Sequence, residues 1–146
     1  APAEAHGALE AARSQVKDMA SADILIIEDE PIIAMDLDLL VKRCGHRVIG
    51  IAGSEAQAVK MALATRPTLI LADINLGRGG DGSRAVSRIL RLTEDTRIPV
   101  IFVTAYPERL LTGQTTEPAL VITKPFDPMS LAVATFEAVS GGLTVP

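Results

Sequence analysis

Five short apolar runs, Ile24 to Ile27, Arg47 to Ala52, Leu69 to Ala72, Ile98 to Val103 and Leu120 to Thr123, punctuate the chain, with a stretch of helical spacing after most of them. Four of the runs are nearly continuous in Ile, Leu and Val, the pattern of strands covered on both faces of a parallel sheet, whereas HRVIGIA is mixed enough to be an edge strand. Between the first two, Pro31 suits a first helical position, Ile33, Leu37, Leu40, Val41 and Cys44 recur at helical spacing, and Gly45 supplies the stop. Ser54 with Gln57 forms a capping box ahead of Val59, Ala62 and Leu63, and Arg66-Pro67 ends that helix. A third helix starts near Ser83 and carries Ala85, Val86, Ile89 and Leu90. PERLLTG, residues 107–113, allows barely two turns. Asp127 caps a last helix that begins at Pro128 and presents Leu131, Ala132, Phe136 and Val139 on one side.

Such alternation implies right-handed crossovers and helices on both faces of the sheet. The fold class expected is α/β, a doubly wound five-stranded parallel sheet in the flavodoxin-like order 2-1-3-4-5, with sites at the carboxyl ends of the strands. Residues 1–20 lie outside that unit, and Ala8, Leu9, Ala12, Val16 and Met19 give residues 3–19 the spacing of an extra N-terminal helix. The 146 residues thus divide into a connector helix or domain tail over 1–20 and one folded domain over 21–146.

A net charge of -4 with no basic run argues against direct nucleic-acid binding and against an anionic membrane surface. No apolar run approaches the ~20 residues that span a bilayer. The start, APAEAH, has no Met and lacks the order of a signal peptide, so the chain reads as a cytoplasmic piece of something longer. Its single cysteine, Cys44, excludes an internal disulfide and is expected to be buried on the apolar stripe of the first helix. His46 is expected to cap the turn into the second strand.

Polar residues follow the apolar runs directly: Glu28 and Asp29 after the first, Asp73 after the third, Thr104 after the fourth and Lys124 after the fifth. The topology gathers three carboxylates, a hydroxyl and an ammonium on one rim. Carboxylates ~4 Å apart repel by about 4 kcal/mol at an effective dielectric near 20, so a cation belongs among them. Mg2+ suits all-oxygen ligands of this kind. Asp73, central on the rim, is the candidate nucleophile toward a phosphoryl group, with Lys124 neutralising one phosphoryl oxygen and Thr104 hydrogen-bonding another. Glu30 reads as a solvated acid, and Lys124-Pro125 as a junction where a cis bond would aim the lysine inward.

The glycines of GIAG and GRGG form neither G-x-G-x-x-G nor G-x-x-x-x-G-K, and no second acid follows Asp73 at a spacing suited to acid-base turnover, which disfavours a nucleotide-binding or hydrolytic enzyme. The combination of EDEP, LADI, VTA and TKPF resembles the receiver domain of two-component response regulators. That resemblance implies that Asp73 accepts phosphate from a sensor histidine kinase, and that Glu28, Asp29, Asp73 and the backbone carbonyl of Asn75 bind Mg2+. It implies a signalling domain that assists its own phosphorylation and dephosphorylation, not a metabolic enzyme. More narrowly, EDEPIIAMDL, VIFVTAYPERLLTG and VITKPF are similar to the receivers of alphaproteobacterial general stress response regulators. In that group a sigma-factor-like domain precedes the receiver and, on phosphorylation, captures an anti-sigma factor. A stand-alone receiver, or one with another output that acts as an interaction module, is the alternative, and a homodimer is left open. Two departures stand out: Glu28 replaces the usual first Asp, and Val121 replaces the usual aromatic of the fifth strand. With that aromatic missing, Tyr106, the only tyrosine, becomes the candidate switch residue.

Overall fold

A computed structural model describes residues 21–95, 97–108 and 119–140. The expected helix over 3–19 lies outside them, as does most of the PERLLTG segment. The chain runs β1 (Asp23–Ile27), α1 (Pro31–Arg43), β2 (Arg47–Ala52), α2 (Glu55–Thr65), β3 (Leu69–Ala72), a 3-10 turn (Gly77–Gly79), α3 (Gly82–Thr93), β4 (Val100–Thr104), β5 (Ala119–Thr123) and α4 (Pro128–Val139). The five strands form one parallel sheet in the order β2-β1-β3-β4-β5. The expected topology and the edge position of β2 are therefore both observed.

The sheet has an apolar layer on each face. Leu25, Ile27, Ile70 and Phe102 meet Ala58, Ala62, Val86 and Ile89 of α2 and α3 on one side. Ile24, Ile26, Leu71 and Ile101 meet Leu37 and Val41 of α1 and Leu131, Ala134 and Ala138 of α4 on the other. Each fully buried Leu or Ile contributes roughly 1.5 to 3 kcal/mol, so this sandwich is what holds the strand ends, and with them the rim, in place.

The helix boundaries have local causes. Pro31 opens α1, whose last turn carries Lys42 and Arg43. The Ser54 hydroxyl accepts the Gln57 N–H at 3.2 Å, while Gln57 Oε1 accepts from the Gly53 N–H at 2.9 Å. Asp81 Oδ1 accepts from the Ser83 and Arg84 N–H groups, which moves the start of α3 one residue ahead of Ser83. β4 begins later than expected, after Pro99, which has no N–H to give to a ladder.

Four expectations need correction. Cys44 is exposed, because it sits one residue past the end of α1, where the chain turns away from the core. Leu63 is also exposed, and Ala58 takes its place on the buried face of α2. In α4 the buried face is Leu131, Ala134, Thr135 and Ala138, while Phe136 is 53% exposed; small side chains let that helix lie close on the sheet. β5 reads as a covered strand but is the second edge, with Val121 exposed. His46 is buried, and its Nδ1 accepts the Ala22 N–H at 3.0 Å, so it ties down the entry to β1. Burial holds its imidazole pKa below the usual value.

Candidate functional site

Parallel strands put their carboxyl ends on one edge, and β1 and β3 are direct neighbours, with Ile27 opposite Ala72. The next residues, Glu28 and Asp73, therefore stand side by side. The ladder continues past the strands, since the Glu28 N–H donates to the Ala52 carbonyl and the Asp73 N–H to the Ile27 carbonyl. On the far side, Thr104 pairs with Thr123, and the Lys124 N–H donates to the Thr104 carbonyl at 2.9 Å. Lys124, one step beyond β5, spans back across the rim.

The ammonium of Lys124 is the centre of the site. Its Nζ lies 2.8 Å from Glu28 Oε2 and 2.9 Å from Asp73 Oδ2. Both carboxylates are buried, at 2% and 7% exposure, so these contacts are only weakly screened by solvent. The remaining oxygens are also engaged: Glu28 Oε1 accepts the Glu30 N–H at 3.1 Å, and Asp73 Oδ1 accepts the Asn75 N–H at 3.3 Å. The Lys124-Pro125 bond is cis. Asp29 is exposed beside them, and Glu28, Asp29 and Asp73 each offer an oxygen within 4.8 Å of the others, a cluster that could hold a metal ion. Thr104 is fully buried, with its Oγ1 accepting the Tyr106 N–H at 3.0 Å. Tyr106 itself is 42% exposed, and Glu30 is exposed, as a solvated acid should be.

Burial penalises the charge on Glu28 and raises its pKa to about 6, despite the opposing hydrogen bond from Lys124. For Lys124, burial lowers the pKa, but the hydrogen bonds it donates to Glu28 and Asp73 outweigh it and the net direction is upward. The two partners do not move as a simple ion pair would: the lysine holds its proton more tightly, while the glutamate also tends to hold one. The lysine direction follows from two short contacts. The glutamate direction follows from burial, which the hydrogen bond from Lys124 only partly offsets.

The loop from Asp73 to Asp81 completes the rim. The Gly77 N–H donates to Asn75 Oδ1 at 3.0 Å, and a Cβ on Gly77, whose φ is +58, would stand 3.3 Å from Asp29 Oδ2. At Gly82 a Cβ would collide with the Asp73 carbonyl. The glycines of GRGGDG therefore serve close backbone approach, a role not visible when they are read only for phosphate-loop spacing.

A domain of this topology, with acids at the ends of β1 and β3, Thr after β4's apolar run and Lys after β5, is that of a response regulator. The chain belongs to the response regulator receiver domain family, whose model matches residues 24–135. Over 130 residues it is 52% identical to the phyllosphere-induced regulator PhyR of Methylorubrum extorquens, covering 88% of this chain and 47% of that protein. The PhyR receiver domain of Erythrobacter litoralis superposes with a TM-score of 0.74 at 43% identity, over 86% of this chain and 95% of that one. The anti-anti-sigma factor PhyR of Bartonella quintana gives 0.69 at 47% identity, over 84% of this chain and 49% of that one. The chain is thus a PhyR-like receiver domain of two-component signalling that spans about half the length of its full-length relatives.

Proposed function

We propose that this domain is a phosphorylation switch in which Asp73 accepts a phosphoryl group from a sensor histidine kinase. The observation that carries it is the single ammonium of Lys124 lying within 2.9 Å of two buried carboxylates next to a third. Three acids beside one ammonium leave room for more positive charge, and their all-oxygen donor set fits Mg2+. Glu28, Asp29, Asp73 and the backbone carbonyl of Asn75 are the residues to hold it. Bound there, Mg2+ would supply charge neutralisation for the oxygens of an entering phosphoryl group.

In the transfer, an Asp73 carboxylate oxygen bonds to phosphorus as the donor's P–N bond breaks. The electron pair of that bond stays on the leaving imidazole nitrogen, which takes its proton from solvent. Lys124 Nζ, already on Asp73 Oδ2, meets one phosphoryl oxygen, and the Thr104 hydroxyl meets another. Tyr106, whose N–H donates to the Thr104 hydroxyl, would relay that movement.

The similarity to PhyR proteins supports an output reading as well. Residues 1–20 would be the connector or tail of a sigma-factor-like domain that lies ahead of the receiver in the whole protein, and phosphorylation would free that domain to capture an anti-sigma factor. The expected compartment is the cytoplasm; among the described residues no helix is long and apolar enough to cross a membrane. Incubation with Mg2+ and acetyl phosphate, followed by intact mass, tests the chemistry: wild type gains one phosphoryl group and Asp73→Asn gains none. Labelling that persists in Asp73→Asn refutes the assignment, and a wild type silent to both acetyl phosphate and fluoroberyllate favours a receiver that acts only as an interaction module.

A further inference from the structure

Glu55 opens α2, outside the rim, and groups from three other residues, Asp81, Arg84 and Arg88, converge on its carboxylate. Arg84 Nε lies 3.0 Å from both of its oxygens, Arg88 Nη1 lies 3.2 Å from Oε1, and the Asp81 N–H points at Oε2 from 3.5 Å. The side chain is 12% exposed. Burial opposes its charge, but the hydrogen bonds from Arg84 and Arg88 outweigh that and hold its carboxyl below the usual carboxylate range.

What Glu55 grips is the return arm of the loop that follows the phosphoacceptor. That loop is a small hairpin: the Gly82 N–H donates to the Ile74 carbonyl at 2.7 Å, the Leu76 N–H to the Gly80 carbonyl at 3.1 Å, and Asn75 bridges Asp81. Asn75 and Asp81 are thus opposite each other, so a force that fixes the backbone of Asp81 fixes that of Asn75. The return arm lies hard against the start of α2. A Cβ on Gly80 would come within 2.7 Å of Glu55 Oε2, and one on Gly79 within 2.6 Å of the Gly53 carbonyl. Gly80 also has a φ of +108, so its place against the carboxylate is one that only glycine takes easily.

We infer that Glu55 is a positioning residue for the metal loop: it clamps the Gly80–Asp81 arm to α2, with Arg84 and Arg88 fixing its rotamer, and so sets where the Asn75 carbonyl stands relative to Asp29 and Asp73. This role rests on the Mg2+ reading above. Groups that orient a metal ligand without touching the metal commonly change affinity by on the order of 10- to 100-fold. A purely structural clamp would instead change melting temperature and leave affinity alone.

The test is a Mg2+ titration of wild type, Glu55→Ala, Glu55→Gln and Arg88→Gln, followed by amide chemical shifts of Asn75 and Asp81, with thermal melts of each metal-free protein. Glu55→Ala should bind Mg2+ on the order of tenfold more weakly. Glu55→Gln, which keeps an acceptor for the Asp81 N–H, should recover most of that loss, and Arg88→Gln, which only loosens the rotamer, should fall between. If Glu55→Ala melts lower but binds Mg2+ like wild type, the positioning role is wrong and the clamp is structural. If Glu55→Ala does not fold, Arg88→Gln with unchanged affinity overturns the role equally. A wild type whose amides ignore Mg2+ fails the underlying metal reading and takes this inference with it.

Discussion

Removing the shared ammonium should unmask the repulsion that it hides. In Lys124→Met the long apolar stem is kept and only the charge is lost. Glu28 and Asp73 are then left buried with no cation, their oxygens at most 4.8 Å apart. At an effective dielectric near 20 two such charges repel by at least about 3.5 kcal/mol, which agrees with the ~3 to 5 kcal/mol cost of stripping one partner from a buried ion pair. For a domain between the reference sizes, each kcal/mol corresponds to roughly 3 to 4 °C of melting temperature, so the metal-free variant should melt about 10 °C or more below wild type at pH 8. The deficit should shrink at pH 5, because Glu28, whose pKa already stands at about 6 with the lysine present, takes up a proton there. Adding Mg2+ at pH 8 should restore more stability to the variant than to wild type, since the cation then relieves the larger repulsion. The assay is thermal unfolding at pH 5 and 8, with and without Mg2+. A variant that melts with wild type at pH 8, or whose deficit is the same at both pH values, would refute the reasoning.

Asp73→Asn, by contrast, should raise the melting temperature of the metal-free domain and narrow its gain on adding Mg2+; equal Mg2+ gains in the two proteins would argue against a shared site. Because folding raises the Glu28 pKa from 4.5 to about 6, its contribution to stability is fully present below pH 4.5 and lost as pH rises through 6, about 2 kcal/mol in all. Glu28→Gln should flatten that slope in metal-free urea titrations, and an unchanged slope would remove Glu28 as its cause. Tyr106→Ala should still take up phosphate at Asp73 but fail to pass the signal on, read as anti-sigma-factor binding by the protein with its preceding domain; a wild-type response would place the switch elsewhere. Cys44, being exposed, should react with a thiol reagent in the native state as fast as in urea.

The strand pattern was legible because buried parallel strands are apolar throughout, and the rim was legible because each polar residue follows its strand directly. Errors arose where apolarity carries no direction. PMSLAVATFEAV is apolar on nearly every side, so spacing alone chose the Leu131–Phe136 face, whereas packing distance selected the small residues Ala134 and Ala138. LVKRC continues a helical stripe in sequence, but the helix ends at Arg43 and Cys44 falls past it. Nothing local connects Glu55 with Asp81, Arg84 and Arg88, which meet only after α2 and α3 pack side by side. The signal that could have raised the question is GRGGDG itself, since four glycines in so short a loop mark close backbone approach when no phosphate motif explains them.

The charge state of the rim also orders the chemistry. Three carboxylates against one ammonium leave a net charge of about -2 when all are ionised, and the Glu28 pKa is raised chiefly by burial, with the Asp73 charge adding to it. A phosphoryl group carries about -1.5 to -2 of its own at neutral pH. Brought to the metal-free rim it would meet like charge at buried positions, where screening is weak. In the proposed transfer a divalent cation would bring the rim near neutrality, so that the phosphoryl donor would face no net repulsion. The lysine cannot supply this alone, because both of its carboxylate contacts are already made. Its proposed part comes later: once phosphoryl oxygens stood at Asp73, Nζ would have a stronger partner than Asp73 Oδ2, while its backbone N–H holds the Thr104 carbonyl. In the proposed switch Lys124 would therefore join Asp73, through its side chain, to the Thr104–Tyr106 segment, through its main chain.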